Sequence, residues 1–117
     1  MELDFNKDET GLLFLRPKGR LDMNEGDIKW ETMTNHCKEH ADLTKGIIVD
    51  LQYVDFVSSS GFSWLLIQHK RFKEAGSRLV LTNISTRVMQ TIKVMSLDKT
   101  FTITRNELEA AELFKAA

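Results

Sequence analysis

The spacing of apolar residues along the chain follows two different periods. Residues 46–51 form a nearly continuous aliphatic run, which is typical of a central strand covered on both faces. Residues 61–75 carry apolar side chains every three to four positions and are followed by Gly76, which predicts an amphipathic helix with a glycine C-cap. The same patterns predict the remaining elements: strands at 3–6 and 12–16 joined as a hairpin around Gly11, a helix at 24–40, a strand at 78–82, a helix at 86–95 with Ser85 as its N-cap, a strand at 101–104, and a last helix from Asn106 to about residue 116.

The order of these elements predicts the fold class. Strands that alternate with helices at this pitch form βαβ crossovers, which make neighbouring strands parallel. We therefore expect an α/β fold with a mixed, mostly parallel central sheet, about four helices and an N-terminal hairpin. A chain of 117 residues with 42% apolar positions is long enough for one such domain, spanning residues 1–117.

Charge and cysteine content narrow the range of functions. The chain has 16 Lys+Arg and 17 Asp+Glu, without the basic excess that phosphate contacts require, so no nucleic-acid partner is expected. The single cysteine, Cys37, excludes an internal disulfide framework and suits a reducing environment. The acidic N-terminus does not resemble a signal peptide, and no apolar run approaches the roughly 20 residues that cross a bilayer. We therefore expect a cytoplasmic protein without membrane insertion.

Histidine and cysteine residues form one group with metal-ligand spacing. His36, Cys37 and His40 lie close together in the predicted helix at 24–40, as zinc ligands do. A zinc site needs further ligands, however, and Cys37 also belongs to the apolar stripe of this helix, so no metal site is expected. His69 lies in the apolar stripe of the helix at 61–75, which favours a satisfied, partly buried histidine over a catalytic one.

Acidic residues flank the end of the central strand. Asp50 and Asp55 have the chemistry to bind Mg²⁺ or to act as acid and base, but a solvated loop is the simpler interpretation. The serines at 59 and 60 have no glycine two positions before them, so the GxSxG elbow of hydrolases is absent, as are the glycine-rich phosphate loops. These observations indicate that the protein is not an enzyme and needs no cofactor.

Three consecutive serines stand between the central strand and the helix at 61–75. One hydroxyl at this position caps the helix and contributes about 1 kcal/mol, but a single cap does not require Ser58, Ser59 and Ser60 together. A phosphate on one of them would lie near free N–H groups and the positive end of the helix dipole, which stabilise negative charge. Such a phosphate would also repel a partner docked at this helix end. The segment therefore predicts a binding switch.

Six segments occur in order along the chain, at residues 19–22, 47–51, 55–62, 76–81, 83–85 and 95–98. Together they resemble the STAS domain family and, within it, the small anti-sigma factor antagonists of bacteria. The match covers nearly the whole chain and includes the serine loop.

The resemblance implies a partner switch governed by phosphorylation. Unphosphorylated antagonists of this family bind a GHKL-type anti-sigma factor that is also a serine kinase, and a serine phosphatase removes the phosphate that the kinase adds. The family's modified serine corresponds to Ser59, while Ser58 replaces the family's aspartate and is an alternative acceptor. The implied partner-binding residues are Asp22, Ser58, Ser59, Ser60, Gly61, Phe62 and Ser63.

Two other functions remain open from the sequence. A STAS domain can serve as a scaffold or as a subunit of a lipid-transport complex without switching. A small-ligand or nucleotide-binding domain is the alternative of another class, because the carboxyl ends of parallel strands form ligand clefts. In each case the chain is expected to be a monomer or a weak dimer.

Overall fold

A six-stranded sheet forms the centre of the computed structural model, which describes residues 2–22, 35 and 45–115. The predicted helix at 24–40, with His36, Cys37 and His40, lies outside the described residues except for Asn35, which is helical. The strands are β1 (Glu2–Lys7), β2 (Leu13–Leu21), β3 (Ile47–Asp50), β4 (Tyr53–Val57), β5 (Leu79–Thr82) and β6 (Thr102–Thr104). The helices are α1 (Ser59–Glu74), α2 (Thr86–Val94) and α3 (Glu107–Lys115), with a 3₁₀ turn at Leu97–Lys99.

The sheet is mixed and mostly parallel, as predicted. Its strand order is β1-β2-β3-β5-β6, with β1 antiparallel to β2 and the pairs β2–β3, β3–β5 and β5–β6 parallel. The β1–β2 turn contains Gly11, whose φ of +93° requires the conformational freedom of glycine. The predicted α/β class and the N-terminal hairpin are therefore confirmed.

The strand β4 was not predicted, and it pairs parallel with the second half of β2. The expected strand at 12–16 instead continues to Leu21, through Pro17. Pairing of β2 with β3 ends at Leu15 and pairing with β4 begins at Lys18, so the missing N–H of Pro17 interrupts neither parallel ladder. As a result, β2 and β4 end together at one edge of the sheet.

The described helices cover both faces of the sheet. Helices α1 and α2 pack on one face through Phe62, Leu65 and Ile92, whereas α3 packs on the other face around Ala110. The predicted caps are observed: the Ser85 hydroxyl accepts the Val88 N–H at 3.2 Å, and the Asn106 side chain accepts the Glu109 N–H at 2.9 Å. Gly76, with φ of +84°, follows the end of α1 as expected.

Two negative findings apply to the described part of the chain. No helix there has both the length and the apolar character that crossing a bilayer requires. No three histidine, cysteine or acidic side chains there come together as a potential metal site.

Candidate functional site

The serine loop, residues 58–60, lies at the junction between β4 and α1. Ser58 has an extended backbone, with φ of −77° and ψ of 171°, and serves as the N-cap of α1. Its hydroxyl accepts the Gly61 N–H at 3.1 Å, and its carbonyl oxygen accepts the Phe62 N–H at 2.9 Å. Aspartate would perform this role equally well, because serine and aspartate are both preferred N-caps.

The three serine hydroxyls have different environments. The oxygens of Ser58 and Ser60 lie 2.8 Å apart in a hydrogen bond, and both residues are half-buried. Ser59 is exposed, and no hydrogen bond within the described residues involves its hydroxyl. The arrangement therefore presents Ser59 to solvent on the first turn of α1 while its two neighbours hold the helix start.

A close approach between α1 and β2 fixes the position of this loop. The Ser58 N–H donates to the Leu21 carbonyl oxygen at 2.9 Å. A Cβ atom at Gly61 would lie 2.5 Å from the same carbonyl oxygen and 2.9 Å from a methyl group of Val57, so only glycine allows this approach. Because Asp22 follows Leu21 directly, the contact brings the end of β2 beside the serine loop.

The first turn of α1 itself favours negative charge. The first turn of α1 contains no acidic side chain, and its last turn contains Arg71 and Lys73, which complement the negative end of the helix dipole. On β2 and β4, the Arg20 guanidinium lies 4.2 Å from the centre of the Phe56 ring, two residues before the loop. An anion on Ser59 would therefore meet free N–H groups without a carboxylate on the same helix turn.

Comparisons with known proteins agree with this architecture. The family model for the STAS domain matches residues 6–111. This chain belongs to the STAS domain family. Its fold is similar to that of an anti-sigma factor antagonist from Mycobacterium paratuberculosis, with 16% identity, a TM-score of 0.79, and coverage of 97% of this chain and 93% of that one.

Two structures of a further antagonist show the same fold. The anti-sigma factor antagonist SpoIIAA in its unphosphorylated form has 17% identity and a TM-score of 0.68, with 99% of this chain and 100% of that one covered. The Bacillus cell fate determinant SpoIIAA in its phosphorylated form has 17% identity and a TM-score of 0.65, with coverage of 96% and 99%. At these identities the likeness establishes the fold of this STAS domain.

Not all residues implied as partner-binding lie on the surface of this STAS domain. Phe62 is only 1% exposed and packs in the core, because its position on α1 faces the sheet. Its assignment to the partner surface was wrong. Gly61 is also buried, and its role is to allow the contact with β2. Ser59 and Ser63 are exposed, while Asp22 is half-buried.

The solvated-loop interpretation was wrong for Asp50, although Asp55 is exposed on β4. Asp50 is 6% exposed and accepts hydrogen bonds from the Gln52 N–H at 2.9 Å and from the Asn83 side chain at 3.1 Å. It also hydrogen-bonds with Glu107 at the start of α3. Burial raises the pKa of Asp50 to about 6, and the bond to Glu107 acts in the same direction.

An arginine balances the charge of this acid pair. The Arg16 guanidinium donates to both carboxylate oxygens of Glu107, each at 2.8 Å. These hydrogen bonds lower the pKa of Glu107, so Glu107 is the carboxylate that stays ionised beside Arg16. The cluster anchors the first turn of α3 to β2 and β3. Each carboxylate oxygen of Asp50 and Glu107 already accepts a hydrogen bond within the described residues, which favours a structural role for the cluster.

His69 is partly buried as expected, but only in part satisfied. Its ring contacts the Phe101 ring edge-on, with centroids 5.7 Å apart, and its Nδ1 atom is buried without a hydrogen-bond partner among the described residues. Burial lowers the pKa of His69, and the charge of Lys73 acts in the same direction. The geometry therefore favours a neutral packing residue.

Proposed function

We propose that this STAS domain is a non-enzymatic, cytoplasmic anti-sigma factor antagonist that works in a partner switch. It binds a GHKL-type anti-sigma factor with serine kinase activity while Ser59 is unmodified, and phosphorylation of Ser59 releases it. A serine phosphatase restores the binding form. The observation that carries the proposal is the exposed Ser59 on the first turn of α1, between two hydroxyls that are engaged with each other.

Ser59 is a better acceptor than Ser58 for a structural reason. Ser58 is half-buried, and its hydroxyl is engaged with both Ser60 and the Gly61 N–H, so a phosphate there would have to displace the contact with Ser60. A phosphate on Ser59 would leave this cap in place. It would add nearly two negative charges and three acceptor oxygens at the positive end of a 16-residue helix. We therefore place the switch at Ser59 and keep Ser58 as the alternative that the experiment tests.

The exposed face of α1 supplies a surface for the partner. Ser59, Ser63 and Ile67 follow one another at four-residue intervals, so they lie along one side of the helix. All three are exposed. Ile67 differs from the two serines because it exposes 57% of a large aliphatic residue to solvent. This surface combines the modified residue with an apolar anchor about 12 Å further along the helix axis.

Phosphate transfer by the cognate kinase tests the acceptor directly. Wild type, Ser58→Ala, Ser59→Ala and Ser60→Ala are incubated with the kinase and ATP, and incorporated phosphate is located by mass spectrometry. We expect Ser59→Ala to lose at least 100-fold in phosphate incorporation. Ser58→Ala should keep its acceptor while losing about 1 kcal/mol of stability with its cap. Undiminished phosphate on Ser59→Ala would move the site to Ser58, and no phosphate on the wild type would favour a non-switching scaffold.

An apolar-to-charged substitution tests the partner surface. Ile67→Glu is expected to leave the free energy of unfolding within about 0.5 kcal/mol, because Ile67 is already largely exposed, and to weaken binding of the kinase-type partner at least tenfold. Val94→Glu is the matched control, since Val94 is 85% exposed at the end of α2. Titration calorimetry that finds equal partner affinity for Ile67→Glu and wild type would remove Ile67 from the interface.

A further inference from the structure

A cavity of about 370 Å³ opens at the edge of the sheet where the parallel strands begin, opposite to the serine loop. The β1–β2 turn forms one wall through Asp8 and Thr10. Lys45 precedes β3, Arg78 precedes β5, and the last turn of α3 closes the other side. Nothing in the serine loop contributes to this cavity, so a function here is independent of the partner switch.

Positive charge dominates the polar part of the cavity. Lys45, Arg78 and Lys115 line it, and none of the three forms an ion pair within residues 2–22 and 45–115. The one lining carboxylate, Asp8, accepts hydrogen bonds from the N–H groups of Thr10 and Leu12 and from the Thr10 hydroxyl.

Helix ends reduce this positive charge but do not cancel it. Helices α1 and α3 both end beside the cavity, and each C-terminus contributes about half a negative charge. Three cations set against one carboxylate and two helix ends leave a net charge of about +1. A singly charged anion would balance this charge, whereas a nucleotide phosphate chain would exceed it.

The floor of the cavity is apolar. Leu12 is buried, and Ala111, Leu113 and Phe114 are partly buried against the cluster on this face of the sheet. The Phe114 ring packs so closely on Gly46 that any Cβ atom there would overlap with it. A glycine at this position therefore lets the aromatic ring settle against the strand and form the floor.

We propose that this cavity binds an amphiphilic monoanion, namely a carboxylate on a short or medium-length alkyl chain. The carboxylate pairs with Arg78, whose planar guanidinium matches its two oxygens, and with the ammonium groups of Lys45 and Lys115. The alkyl chain covers Leu12 and the Phe114 ring. The volume lies within the range of small-ligand sites, which begins at about 300 Å³.

Octanoate is the probe that tests charge and chain together. It is titrated into the ¹⁵N-labelled full chain while the amide signals of Gly11, Gly76 and Ser77 are followed, with titration calorimetry as the second readout. We expect saturable binding at these amides. Acetate, which lacks the chain, and 1-octanol, which lacks the charge, should each bind at least tenfold more weakly.

Matched variants assign the binding to the cavity. Arg78→Gln should weaken octanoate at least fivefold, whereas Arg87→Gln, the same change at an exposed position on α2, should leave the affinity unchanged. Ala111→Leu, which fills the cavity without altering its charge, should also weaken binding. Circular dichroism checks that each variant is folded.

Three results would overturn the proposal: octanoate shifts that do not saturate, equal affinity for 1-octanol, or full affinity in folded Arg78→Gln. Anionic lipid vesicles provide a separate arm. If they capture the protein while free octanoate does not bind, these cations serve a membrane surface and the cavity is not a ligand site.

Discussion

Alanine in place of Gly61 is expected to lower the free energy of unfolding by about 2 kcal/mol. The added methyl group would lie 2.5 Å from the Leu21 carbonyl oxygen and 2.9 Å from Val57, so α1 must move away from β2. Overpacking of this kind costs about 1–3 kcal/mol, and the backbone oxygen cannot move aside as a side chain would. Alanine has a better helix propensity than glycine by about 1 kcal/mol, which reduces the upper end of this range to the expected loss of about 2 kcal/mol.

Urea unfolding monitored by circular dichroism measures this change, and Gly76 supplies the matched control. A Cβ atom at Gly76 meets nothing within 4 Å, but its φ of +84° disfavours alanine. Asparagine tolerates this backbone conformation, so Gly76→Asn should be milder than Gly76→Ala. At Gly61 the obstacle is a lack of space and not the backbone conformation, so the larger serine should be at least as destabilising as alanine. Stability of Gly61→Ala equal to wild type would show that the contact with β2 does not constrain α1.

Most of the secondary structure could be predicted from local patterns because each element has its own signal. The aliphatic run at 46–51, the helical stripe at 61–75 and the caps Ser85 and Asn106 depend on residues within one element. Strand β4 lacks such a signal. Only Leu51 and Gln52 separate it from β3, and its partner is the second half of β2, more than 30 residues earlier in the chain. A strand that pairs with such a distant segment needs no periodic spacing of apolar residues within its own sequence.

The serine loop could be located from the sequence, but the roles of its members could not. Three hydroxyls before an amphipathic helix indicate that one serine caps the helix and that the other two are not needed for capping. Only the geometry shows which serine caps the helix and which one faces solvent: Ser58 is the cap and Ser59 is exposed. For Phe62, two kinds of sequence evidence disagreed. The family resemblance placed it on the partner surface, whereas the apolar spacing of its helix placed it in the core. The apolar spacing was the reliable signal there.

The acid cluster around Asp50 was misjudged because its partners come from distant segments. Arg16 and Glu107 are 91 residues apart in the chain, and Asn83 is 33 residues from Asp50. Nothing near Asp50 in the sequence reports that α3 will cover it. An acidic residue at the end of a buried strand is as compatible with a solvated strand end as with a buried network, and only the docking of α3 decides between them.

Replacing Asp50 with asparagine is expected to remove a pH-dependent loss of stability. The folded protein keeps the proton of Asp50 up to its pKa of about 6, whereas the unfolded chain releases it near the ordinary value of 3.8. The folded state therefore binds more protons between these values, so this group's contribution to stability falls as the pH rises. From pH 4.5 to pH 7.5 the loss amounts to about 2 kcal/mol. Asparagine cannot ionise, and its amide can donate to Glu107 at every pH. Its single oxygen keeps only one of the two hydrogen bonds that Asp50 accepts from Gln52 and Asn83, and this loss lowers stability by the same amount at both pH values.

Urea unfolding at pH 4.5 and pH 7.5 tests this through the difference between variant and wild type. Groups with the opposite trend cancel in that difference: the lowered pKa of His69 makes stability rise with pH, and it does so in both proteins. The excess stability of Asp50→Asn over wild type should grow by about 2 kcal/mol between the two pH values. Asp55→Asn, an identical change at an exposed carboxylate, should follow the wild type at both. If Asp50→Asn also runs parallel to the wild type, the proton is not held between Asp50 and Glu107, and the ionised pair with Arg16 must account for the attachment of α3.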